Sequence, residues 1–115
     1  MAQSLDAVER PAVELGGRDC PYPPMVSFEH LDGSCEAFSY KDLTRLVLNL
    51  DGTVKVNFRN ATVVVRGRDL LPVWQGFRTR RLRLLRVKSE TDGVTLDHGA
   101  PHIDSITVTP LRARK

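Results

Sequence analysis

The chemistry with most support in this sequence is cationic. Between Asp69 and Glu90 there is no acidic residue, while Arg78, Arg80, Arg81, Arg83, Arg86 and Lys88 crowd one short segment and Arg66 and Arg68 precede it. Arginine's planar donor fork matches phosphate oxygens, so this segment is a candidate site for nucleic acid or another polyanion, with salt-dependent affinity. The competing reading is a solvated rim, in which aliphatic stems cover apolar surface and acidic N-terminal residues supply counter-charge. The rim is favoured because base stacking needs exposed aromatics. Trp74, Phe77, Phe28, Phe38, Tyr40 and Phe58 fall at spacings that point inward, leaving Tyr22, between prolines, as the exception.

Other reactive residues are sparse. His98 and His102, in "DHGAPH" with Asp97 and Asp104 nearby, are weak metal candidates, because Gly-Ala-Pro between them reads as a loop and a zinc site needs three or four fixed ligands. Cys20, His30 and Cys35 have no metal spacing and form no Cys-x-x-Cys pair. Cys35, on a predicted strand with small neighbours, reads as a buried structural thiol, and Cys20 as an exposed one. No phosphate-binding glycine loop, nucleophile elbow, His-Glu-x-x-His or dinucleotide fingerprint occurs, so neither a catalytic residue nor a cofactor is assigned.

The 115 residues set the scale of one domain with a modest core. The net charge of +3 is unevenly distributed: residues 1–40 carry seven acids and two bases, and the remainder fifteen bases and seven acids. Such asymmetry suits an anionic partner, or an acidic segment folded over its own basic face. The opening residues lack a basic stretch followed by an apolar one, and no apolar run approaches a membrane span, so a reduced cytoplasmic protein is expected.

These residues must be positioned by an α+β, mainly antiparallel β, architecture. Residues 1–24, rich in proline and glycine, read as a flexible or extended arm; residues 25–110 as one β-rich globular domain; residues 111–115 as a basic tail. "MVSFEHL" and "SCEAFSY" flank Asp32-Gly33, and "TRLVLNL" and "TVKVNF" flank Asp51-Gly52, both suited to type I′ hairpin turns. Arg59-Asn60 is a weaker third turn, leading to a fifth strand, 61–66. A five-strand meander results, curling into a small barrel or half-barrel. Leu46, Leu48 and Leu50 share one face of the third strand, with Arg45, Val47 and Asn49 on the other; Val54, Val56 and Phe58 alternate with Thr53, Lys55 and Asn57.

The period changes after Gly67. Asp69 is placed to cap one amphipathic helix, ending near Arg80, with Leu70 or Leu71, Trp74 and Phe77 as its apolar stripe. Two or three closing strands follow: 82–88, chosen over a continued helix, and "HIDSITVTPL", with Ile106 and Val108 on one face. Regular strand geometry would send Arg83 and Arg86 to opposite faces. The function these readings point to is a non-catalytic interaction or accessory module that engages a protein partner, or a second copy of itself as a homodimer, through a strand edge, the helix face or the arm. The alternative is a polyanion binder using residues 78–88; no small-molecule substrate is identifiable.

Overall fold

The computed structural model describes residues 11–88 and 101–111. Ten elements follow in order: β1 (Val13–Leu15), β2 (Met25–Glu29), β3 (Cys35–Ser39), a 3-10 turn (Tyr40–Asp42), β4 (Leu43–Leu48), β5 (Val54–Phe58), β6 (Ala61–Arg68), helix α1 (Leu71–Arg78), β7 (Leu82–Arg86) and β8 (His102–Pro110). Among the described residues the fold is β-rich with one α-helix, as the alternation of apolar and polar residues implies.

The expected meander is divided between two sheets, and among the described residues neither closes into a barrel. Sheet A has the order β1-β7-β2-β3 and sheet B the order β4-β5-β6-β8. The break lies after β3, where Ser39 Oγ accepts from Lys41 N at 3.1 Å and turns the chain. Tyr40 is buried there and donates its hydroxyl to Leu82 O at 2.7 Å, tying the turn to the start of β7. Burial pushes the Tyr40 phenol well above its ordinary pKa, so the hydroxyl remains a donor. The pairs β2–β3, β1–β7 and all those of sheet B are antiparallel, but β7 enters sheet A parallel to β2, with Phe28 opposite Leu85 and Glu29 opposite Arg86.

Both Asp-Gly turns form hairpins, although not of type I′, which needs positive φ at two central residues. Gly33 (φ 93°) and Gly52 (φ 92°) are left-handed, whereas Asp32 and Asp51 are not. Backbone bonds His30 N to Ser34 O and Asn49 N to Thr53 O close two matching three-residue loops, Leu-Asp-Gly in each case. The aspartates explain this choice: Asp32 Oδ1 accepts from Ser34 N and Oγ, and Asp51 Oδ1 from Thr53 N and Oγ1. Those backbone donors, and then the hydroxyls, hold both carboxyls below their ordinary pKa. Leu50, expected on the inner face of a strand, instead lies fully exposed in the second loop.

The core fills the space between the sheets and the helix. Val26 and Phe28 come from sheet A, Val54, Val56, Phe58, Val63, Val65 and Ile103 from sheet B, and Val73 and Phe77 from α1. Phe28 is the junction, its ring 5.8 Å from Phe38, 6.4 Å from Phe58 and 6.2 Å from Phe77. Aromatic pairs at such distances contribute about 1 kcal/mol each beyond the area they bury. Leu70, not Asp69, is the N-cap of α1, and no side chain caps it; Asp69 instead takes a left-handed backbone (φ 58°) that turns the chain off β6.

Candidate interaction surfaces

The arginine segment divides into two groups with different environments. Arg83 and Arg86 do not point to opposite faces: both guanidinium groups reach the carboxylate of Glu14 on β1. A bulge is the reason, since Glu14 pairs with Leu84 and Leu15 with Leu82, leaving Arg83 as an extra residue. The bulge shifts the alternation by one, so Leu82 and Leu85 are both fully buried and Arg83 turns to the side occupied by Glu14 and Arg86. Arg86 is the anchor: its side chain is only 8% exposed, Nη2 lies 3.1 Å from Glu14 Oε2, and Nη1 donates to Pro11 O. Its Nε is 3.3 Å from Glu29 Oε1, near enough for charge pairing, although the N–H points off the oxygen and forms no hydrogen bond. Acidic residues near the N-terminus therefore do supply counter-charge, at these two arginines.

Arg78, Arg80 and Arg81 lie at the C-terminal end of α1 and are exposed, with Lys88 half-buried further on. Arg78 stacks over Trp74, 5.5 Å from the ring centroid. Arg80 has φ 61°, in the left-handed position that normally takes glycine just past a helix end. The bonds Arg81 N to Gly76 O (3.0 Å) and Arg80 N to Phe77 O (3.1 Å) complete that terminal motif. Arg80→Gly is expected to raise stability by about 1 kcal/mol, the cost of a left-handed backbone on a residue with a Cβ. A rise in the urea midpoint at unchanged slope measures it.

The remaining candidates are dispersed. His102 is buried at the start of β8, with Nε2 3.0 Å from Asp104 Oδ1 in a direction that makes no hydrogen bond; His98 lies outside the described residues. Among the described residues, no three His, Cys, Asp or Glu side chains gather as a metal site requires. Cys20 and Cys35 are both free and exposed, which corrects the buried reading of Cys35: β3 is an edge strand whose first three residues face solvent. His30 pairs with Glu36 at 3.0 Å, not with a cysteine. Tyr22 is exposed, as its place between prolines implied.

Two surfaces emerge only once the strands are in register. The first is the outer edge of β8, which among the described residues is the last strand of sheet B and pairs with β6 alone. Leu111 N donates to Asn60 O, which fixes the alternation: Ser105, Thr107 and Thr109 turn their backbone groups toward β6, and Ile106 and Val108 turn theirs outward. Pro110, also outward-turned, has no N–H to offer. The second surface is the outer side of sheet B, where pairing brings Arg45, Lys55 and Arg66 onto neighbouring strands. Alternation gives Arg45 and Lys55 their face, but that of Arg66 and the mutual placement of all three depend on register, which no single strand encodes. Among the described residues no helix is long and apolar enough to cross a membrane. No family model, curated protein or solved structure matches the chain.

Proposed function

We propose that this protein is a non-catalytic interaction module that associates by adding a strand to the β8 edge, and that its partner is a second copy of the chain. The observation behind the reading is the outward-turned backbone of Ile106 and Val108 on a nine-residue edge strand. An edge of this length offers a row of donors and acceptors to an incoming strand. Within it residues 105–109, "SITVT", carry no charge and four of the five are β-branched; the strand has no lysine of the kind that commonly blunts such an edge, and its one acid, Asp104, and its proline, Pro110, stand on either side of this run. Two β8 strands meeting antiparallel about a two-fold axis form a self-complementary contact, the usual basis of a homodimer.

Val108→Pro tests the idea because the amide it removes turns away from β6 and has no partner among the described residues. Sedimentation velocity over a micromolar range is expected to show a monomer–dimer equilibrium for the native chain and a monomer for the folded variant. A native chain that stays monomeric throughout, or a folded variant that dimerises equally well, rejects the proposal.

A further inference from the structure

We infer that the outer face of sheet B docks the phosphate backbone of a duplex nucleic acid. On β4 this face carries Arg45 and Val47; on β5, Asn57 and Lys55; on β6, Thr62, Val64 and Arg66; on β8, Thr109, Thr107 and Ser105, with Asn49 and Thr53 just beyond the ends of β4 and β5. Arg45 stands opposite Asn57, Val47 opposite Lys55, and Lys55 opposite Val64, with Arg66 two residues beyond. The cations thus form a diagonal, each displaced by one strand and one pair of residues from the last. Strands lie ~4.8 Å apart and rise ~3.3 Å per residue, so successive cations are about 8 Å apart and the three span about 16 Å. Arg68 extends the line along β6, and all four side chains are exposed.

Flanking the diagonal are hydroxyls and amides, which donate to phosphate oxygens without reading sequence. Its aliphatic members, Val47 and Val64, provide no ring for an unpaired base to stack on, which favours a duplex over a single strand. At a rise of ~3.4 Å per nucleotide, a 16 Å line faces about five phosphates of one strand. Asp51, whose charge acts on Arg66 but whose Oδ1 is taken up by Thr53, and Asp104, beside His102, lie toward the Arg66 end, and Asp42, 3.8 Å from Arg59, directly precedes β4 at the Arg45 end. Arg45 and Lys55 have no carboxylate partner among the described residues. The helix-end arginines form a separate cluster, so the two sites can be tested against each other.

The experiment is fluorescence anisotropy with a labelled twenty-base-pair DNA duplex and its RNA counterpart. Three phosphate contacts give a logarithmic salt slope of about −2.7, or about a 40-fold loss between ~50 and ~200 mM salt. The triple variant Arg45→Gln, Lys55→Gln, Arg66→Gln is expected to bind at least about tenfold more weakly at the lower salt and to lose most of that slope, with an unchanged thermal melt. The comparison variant Arg78→Gln, Arg80→Gln, Arg81→Gln is expected to keep native affinity. Failure of the native chain to bind either duplex at ~50 mM salt, an unaffected first variant, or binding to phosphatidylserine vesicles in place of the duplexes overturns the inference. Running Val108→Pro beside them reads duplex binding separately from self-association, so either proposal can fail alone.

Discussion

Gly67→Ala is expected to destabilise the protein by upward of about 3 kcal/mol, among the largest effects of any single methyl group in the chain. An alanine Cβ at this position would stand 1.9 Å from His102 O and 3.0 Å from both His102 C and Ile103 Cα. All three are backbone atoms, so no rotamer change relieves the clash. The site is the bulge where the β6–β8 register slips, with Gly67 opposite Ile103 and Arg68 opposite His102. The damage would spread, because Ile103 is fully buried and its carbonyl accepts from Lys88 N just beyond β7. Gly17→Ala is the control: its Cβ meets nothing within 4 Å, and a change within about 0.5 kcal/mol is expected. Urea denaturation of both variants measures the contrast, and near-equal midpoints would show that the bulge yields easily.

Arg86→Met is expected to cost about 3 to 5 kcal/mol, the usual range when one member of a buried ion pair is removed. Methionine fills much of the volume but leaves the carboxylates of Glu14 and Glu29, each about four-fifths buried, without their shared cation. The bond from Arg86 to Pro11 O is lost as well, and with it a tie between β7 and the residues leading into β1. Arg83→Gln should cost far less, at most about 1 kcal/mol, because Arg83 is half exposed and solvent screens its pairing. Adding Glu14→Leu to Arg86→Met is expected to recover part of the loss, since it removes one of the two carboxylates that lose Arg86. Chemical denaturation of the three variants reports these differences; equal losses for Arg83→Gln and Arg86→Met would show that burial does not set the strength of the cluster.

Much of the architecture is legible in the sequence, because local pattern determines it. The alternation in "TVKVNF" gives a strand with the faces found, the Trp74 and Phe77 spacing gives the helix, and "ATVVVRG", too uniformly apolar to assign a face, gives a strand whose position, between β5 and β8, is central in its sheet. The strand after Arg81 is also legible, since a helix there would have drawn arginines onto the apolar stripe. What escapes local pattern is long-range pairing. Nothing near Glu14 announces that it meets Arg83 and Arg86, nor does any feature of β7 announce that it enters parallel to β2. At the break between the two sheets the Tyr40 hydroxyl reaches a carbonyl forty-two residues away, a contact that no local pattern announces. The apparent unity of the arginine run was the most misleading signal: a bulge brings two of its members to one glutamate, while residues far from it in sequence share the outer face of sheet B.

Self-association through β8 is tested most directly by amide hydrogen exchange, residue by residue, at several protein concentrations. In the subunit alone, Thr107 and Thr109 should be protected by their bonds to β6, and Ile106 and Val108 should exchange as an open edge does. Protection of Ile106 and Val108 is predicted to increase with protein concentration and to stay constant at Thr107 and Thr109. Exchange at Ile106 and Val108 that is equally fast at every concentration would contradict the account.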